Sequence, residues 1–206
     1  VDATTGYQLS AGLIARHWTP RSVAALLASP SNPTGTLIAA DALAGLITAV
    51  RVRNGAVIVD EIYHGLVYEG AQTSALSLSD DVFVINSFSK YFNMTGWRLG
   101  WIVAPHAYVS ALDKLAQNLF LAAPTLAQYA ALAAFAPETI AILEKRRQEF
   151  QRRRDYLVPA LRALGFDISA VPQGAFYIYA GCARFTRDSF AFATGLLETA
   201  GVAITP

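Results

Sequence analysis

The chain has one cysteine, one methionine and three histidines in 206 residues, and it is poor in charge. A single thiol, Cys182, cannot close an internal disulfide, and with His17, His64 and His106 it makes no set at zinc-ligand spacing. No metal site is expected, and a reducing, cytoplasmic setting fits best. Sixteen basic side chains face fifteen acidic ones, and the net charge of +1 gives no reason to expect nucleic acid or an anionic membrane as a partner. Charged residues are only 15% of the chain, against about 25% in an average globular protein, while apolar residues reach 54%. Disorder and coiled coil are excluded. So little charge requires extensive burial, in a covered sheet or against another subunit.

One absence raises a membrane question. No charge occurs from Leu115 to Pro137, a run of 23 residues that is long enough to span a bilayer. Gln117, Asn118 and Gln128 lie within it, and Pro124 would interrupt a continuous helix. Two buried helices joined near Ala123-Pro124 are expected instead. No signal peptide is visible at Val1, and the chain begins without Met, which leaves room for an upstream segment.

What is present alternates short apolar runs with helical stretches, the pattern of βαβ units. Strands are expected at Val23 to Ser29, Ala56 to Val59, Val82 to Ile85 and Leu99 to Ala104. A helix is expected over Ala39 to Val52, with Leu43, Leu46, Ile47 and Val50 on one face. The predicted class is α/β, a mainly parallel sheet with helices on both faces. From Pro137 a long helix runs to about Leu164, where Gly165 ends it; Pro159 should kink or break it. Arg152, Arg153 and Arg154 alternate there with Glu144, Glu149 and Asp155 and read as a solvated, ion-paired face. Beyond it, Phe166 to Val171 and Ala175 to Ala180 read as a hairpin-like pair, and a helix follows from about Ser189 to Ala200. The expected division is a larger domain over 1–150 and a partial α+β domain over 151–206, bridged by a helix over about 138–164.

Each of the first three strands ends in polar residues. In open α/β sheets ligands bind at the carboxyl ends of strands, so these tails should converge on one site. The clusters are Ser29-Pro30-Ser31-Asn32-Pro33-Thr34-Gly35, Asp60-Glu61-Ile62-Tyr63, Ser87-Phe88-Ser89-Lys90 and Thr95-Gly96-Trp97-Arg98-Leu99-Gly100. Alone, each has an ordinary explanation as a turn, a cap or a solvated lysine. Their order and spacing together carry the signal: SPSNPTGT, VDEIYHGLVYEG, SFSKYFNMTGWRLGW and, later, PQGAFYIYA. In these motifs the chain resembles the class I/II aminotransferases, the fold-type I pyridoxal-phosphate-dependent enzymes, over almost its whole length.

The resemblance implies roles. Lys90 would form a Schiff base with the aldehyde of pyridoxal 5'-phosphate and later shuttle a proton from the substrate α-carbon. Asp60 would keep the pyridine nitrogen protonated, so that the ring accepts electrons. Tyr63 and Asn32 would bond the cofactor's phenolic oxygen. Arg98 would offer a planar fork to the phosphate, with Ser87 adding a hydroxyl; Ser89 is either a second phosphate contact or a cap. Trp97 reads as packing, the three histidines as ordinary surface or core residues, and Cys182 as a buried, inert thiol. The implied reaction is amino transfer from an L-amino acid to a 2-oxo acid in a cytoplasmic homodimer. The same motifs would also serve a carbon–sulfur lyase, or the effector-sensing domain of a transcription regulator. Compared with that family, the chain begins after the glycine-containing phosphate loop and ends before the arginine that grips the substrate carboxylate.

Overall fold

Burial alternates along each apolar run, and the alternation shows which face is covered. A computed structural model describes all 206 residues. It forms one sheet in spatial order β1 (Ala24–Ala28), β2 (Ala56–Asp60), β3 (Phe83–Ser87) and β4 (Gly100–Val103). Ala25, Leu27, Val57, Val59 and Val84 point to one face and are buried there. Covering them are α1 (Ala11–His17), capped by the Ser10 hydroxyl at 3.2 Å from the Leu13 N–H, and α2 (Ala40–Arg51). The expected stripe Leu43, Leu46, Ile47 and Val50 is no more than 4% exposed. Each such side chain stabilises the fold by about 1.5–3 kcal/mol, which makes this cluster the main hold on the sheet. On the opposite face α3 (His106–Leu119) sets Tyr108 edge-on to Phe83 at 5.1 Å, while Leu26, Ile85 and Ile102 stay exposed.

Strand direction positions the site. β1, β2 and β3 run parallel, with Ala28, Asp60 and Ile85 side by side. β4 returns antiparallel to β3, pairing Gly100 with Ser87. The loop 88–99 therefore leaves and re-enters the sheet at the edge where the parallel strands end.

Four expectations need correction. The charge-poor stretch does fall on two helices, the last turn of α3 and all of α4 (Thr125–Ala134), but they are not buried. α4 turns only Ala127, Ala131 and Ala134 inward, and α3 buries nothing, because no element of the chain covers their large apolar residues. No single helix is long and apolar enough to cross a membrane. Next, α5 (Pro137–Leu164) continues through Pro159, which lies on an exposed face where water can serve the carbonyl left without an N–H partner. Third, Arg152 and Arg153 pair with Glu149 as a solvated face, but Arg154 is only 6% exposed. It reaches Glu69 (2.6 Å) and the Pro172 carbonyl (2.8 Å), with its guanidinium over the Tyr68 ring.

Finally, residues 166–180 form no hairpin. The N–H groups of Gln173 and Gly174 go to the Gly35 carbonyl and that of Ala175 to Leu66, so this segment bonds across to the sheet unit. One isolated bridge, Asp167 with Gly181, is all that remains of the expected pairing. The last helix, α6 (Ser189–Ala200), forms as expected, capped by Asp188.

Candidate active site

The turn after β1 is built by residues that cannot continue a strand. The Ser29 hydroxyl accepts the Ile38 N–H at 3.0 Å, and the Gly35 N–H donates to the Ser31 carbonyl at 2.8 Å. Gly35 has φ +67°, and a Cβ there would stand 2.6 Å from the Gly174 carbonyl oxygen, so only glycine lets the PQGA segment dock this closely. This turn sets Asn32 near Tyr63, where its side chain acts to lower the phenol's pKa.

At the end of β2, Asp60 accepts the Ile62 N–H through Oδ1 at 2.9 Å, and its other oxygen has no partner in the chain. Tyr63 is 3% exposed. Its hydroxyl lies 2.8 Å from that of Tyr177, and its ring meets Phe176 and Tyr177 edge-on. Burial raises the Tyr63 phenol far above its ordinary value, helped by Tyr177 and by the charge of Asp60, with only Asn32 opposing. Tyr63 therefore keeps its proton at any physiological pH.

Glu61 and His64 lie behind this pair and are more than surface residues. Glu61 is 3% exposed, accepting the Ala75 N–H at 2.7 Å and facing His64 Nδ1 at 3.1 Å. Burial holds the His64 imidazole below its usual range, against the opposing pull of Glu61 and a hydrogen bond with the Ser29 backbone. His64 so holds Glu61 at the end of β2, the ordinary structural role expected of it.

Lys90 enters from the loop after β3. Its Nζ lies 5.7 Å from the ring centroids of both Tyr63 and Phe176, and no carboxylate pairs with it. The neighbouring Tyr91 packs its ring on Gly65 (φ +89°) and donates to Glu144 Oε1 at 2.7 Å, which anchors the loop to α5. Arg147 bridges Glu144 Oε2 at 2.8 Å and the Val67 carbonyl at 3.2 Å. Burial alone would raise the Glu144 carboxyl, but Arg147 and Tyr91 hold it below its ordinary value.

The Ser87 hydroxyl is engaged locally. It accepts the Ser89 N–H at 2.9 Å and lies 2.9 Å from Ser89 Oγ and 3.1 Å from the Leu99 carbonyl. Arg98 follows the turn Thr95–Trp97 with φ +52°, an unusual conformation for a side chain with a Cβ. One of its guanidinium nitrogens donates to the Thr95 carbonyl at 3.0 Å, and the rest of the fork stays open on an exposed residue.

Asn32, Asp60, Tyr63 and Lys90 thus converge around one phenol, while Ser87, Ser89 and Arg98 gather at the two ends of the loop beside it. Sequence reasoning missed Phe176 and Tyr177. Their signal was the PQGAFYIYA motif, in which no single residue had been given a role. Cys182 is half-buried and bonds to none of these groups, and His17 and His106 are exposed.

Comparison with known proteins identifies the family. The family model described as aminotransferase class I and II matches residues 16–206. The chain is 45% identical over 183 residues to a valine–pyruvate aminotransferase of Mycobacterium tuberculosis, covering 88% of this chain and 47% of that protein. It is 38% identical over 208 residues to a probable N-acetyl-LL-diaminopimelate aminotransferase of Bacillus subtilis, covering 100% and 52%. A crystal structure of an aminotransferase from Mycobacterium tuberculosis superposes with a TM-score of 0.96 at 42% identity, over 100% of this chain and 54% of that one. The chain spans about half the length of the curated relatives it matches. With its motifs, its fold and these relatives in agreement, the chain belongs to the class I and II aminotransferases.

Proposed function

We propose that the protein carrying this chain transfers an amino group from an L-amino acid to a 2-oxo acid, and that the cluster around Tyr63 is this chain's share of the active site. The observation that carries the reading is Lys90, an amine with no carboxylate partner, flanked by two aromatic rings beside Asp60, Asn32 and Tyr63. The donor set suits pyridoxal 5'-phosphate, on which the family depends: an amine, an acidic oxygen without a partner, a buried phenol and an open guanidinium fork. When bound, that cofactor supplies an aldehyde for amines and a ring that accepts electrons released at the substrate α-carbon.

The residues divide the work. Lys90 binds the aldehyde and, once released, moves a proton at the substrate α-carbon. Asp60 holds a proton on the ring nitrogen. Tyr63, with Asn32 near it, donates toward the phenolic oxygen. Arg98 orients the phosphate as a planar fork, and Ser87 and Ser89 offer hydroxyls at the same loop. The relatives named above are aminotransferases, so neither the lyase nor the regulator reading is carried forward.

Three further elements belong to this reading. The division into domains over 1–150 and 151–206 is supported by the separate aromatic packing of Phe166, Phe185 and Phe192. A homodimer is supported by the apolar residues left uncovered on β4 and α3. A cytoplasmic location is supported by the single thiol.

Incubating the intact protein with pyridoxal 5'-phosphate tests the reading. A red-shifted absorbance band is expected, with borohydride fixing the cofactor on Lys90. Lys90→Ala should abolish both the band and amino transfer. A band that survives this substitution removes Lys90 from its role.

A further inference from the structure

Tyr63 and Tyr177 stand 114 positions apart in sequence, yet their hydroxyls lie 2.8 Å from each other. A phenol has one proton and two lone pairs. The one hydrogen bond of the Tyr63 hydroxyl within the chain is with Tyr177, and either hydroxyl can be the donor. Two arrangements follow. Either Tyr63 donates to Tyr177 and has no proton for anything else, or Tyr177 donates to Tyr63 and leaves the Tyr63 proton free. Within the chain the Tyr177 hydroxyl has no hydrogen-bond partner other than Tyr63. Once Tyr63 points its proton at a third group, Tyr177 therefore has one place to donate.

We propose that Tyr177 is a positioning residue: by donating to the Tyr63 oxygen it aims the Tyr63 proton at the bound cofactor's phenolic oxygen and strengthens that bond. The inference rests on the reading of the site given above. Chained hydroxyls polarise one another, so a donor at Tyr63's oxygen makes its own O–H a better donor. The geometry fits an orienting role. Tyr177 meets the Tyr63 ring edge-on at 5.8 Å, and the 173–175 backbone is fastened to Gly35 and Leu66, which fixes the approach of the Phe176-Tyr177 pair. The charged groups that face Tyr63 are Asp60, from the end of β2, and Lys90, from the loop after β3. Neither hydrogen-bonds the Tyr63 oxygen, whereas the Tyr177 hydroxyl lies 2.8 Å from it.

The test reads the pH midpoint of the bound cofactor's long-wavelength absorbance band in the intact protein. Tyr177→Phe removes the donor and keeps the ring, and a weaker bond to the phenolate should raise the midpoint by roughly half a unit. Replacing Tyr177 with 3-fluorotyrosine, a stronger donor of the same shape, should lower it, and this variant serves if the phenylalanine variant does not fold. Tyr179→Phe, which removes a phenol of the same segment that packs against Tyr7 instead of Tyr63, should leave the midpoint in place. An unmoved midpoint in both Tyr177 variants overturns the proposal, as does an equal shift in Tyr179→Phe. A wild-type protein that takes up no cofactor on Lys90 overturns the functional reading itself and the proposal with it.

Discussion

Two apolar regions of this chain meet different fates. Between residues 24 and 100, Leu43, Leu46, Val50, Val57 and Val59 lie almost wholly out of water. Between residues 106 and 135, Leu119 is 77% exposed, Leu121 83%, Leu126 77% and Leu132 70%. Hydropathy is high in both. The difference is the partner: α2 presents a continuous aliphatic stripe to a sheet, whereas α4 presents only small alanines to the aromatic cluster of Phe88, Phe92 and Phe135. Hydropathy says that a side chain gains from cover; whether cover exists depends on what folds against it.

The contrast is open to direct attack. Leu46→Ala in the covered region should cost about 2–5 kcal/mol in urea unfolding, since the residue is fully buried and its neighbours can collapse only in part. A loss below 1 kcal/mol would mean that the α2 cluster does not hold the sheet. Arg154→Met comes next, at about 1–3 kcal/mol, because it leaves the Pro172 carbonyl without its donor. Since Arg154 links α5 to the PQGA segment, its loss should also weaken protease resistance around residue 173.

Tyr91→Phe should cost less, about 0.5–1.5 kcal/mol for one hydrogen bond, and it carries a pH signature. Burial first, and the Glu144 bond second, raise the Tyr91 phenol from 10.0 to about 12; burial does the same for Tyr68. A phenol raised on folding contributes stability that is complete below its unfolded value and lost as pH rises through its folded one. Stability should therefore fall between pH 10 and about 12, and Tyr91→Phe should flatten that fall. A decline of the same slope in the variant would detach Tyr91 from it. The smallest effect is expected of Leu119→Gln in the uncovered region, within about 0.5 kcal/mol for a monomer. A large loss that depends on protein concentration would show that this face is covered by a second copy.

Most of the fold was legible before the structure. The strand at Ala56–Asp60 and the helix over Ala40–Arg51 lie within a residue or two of their sequence-based bounds, since alternation and 3.6-residue spacing are local signals. Pro159 misled, because its penalty depends on whether water reaches the freed carbonyl, and that is a matter of which face it occupies. The hairpin over 166–180 misled for a related reason. Its β-like composition cannot say whether its N–H groups bond to each other or to Gly35 and Leu66. The convergence of Asn32, Asp60, Tyr63 and Lys90 was legible because each sits in a motif at a strand end, and the fold gathers those ends.

Sequence alone determined which chemical groups arrive and in what order: turn residues stop strands locally, and the polar side chains just beyond are fixed to those stops. Tertiary structure alone decided that Phe176 and Tyr177 close over Tyr63 and that Arg154 is buried against Pro172. It also decided that the antiparallel return of β4 brings Arg98 back to the edge where Lys90 departs. These outcomes join residues far apart in the chain, and no local preference encodes a contact whose partner lies on another element.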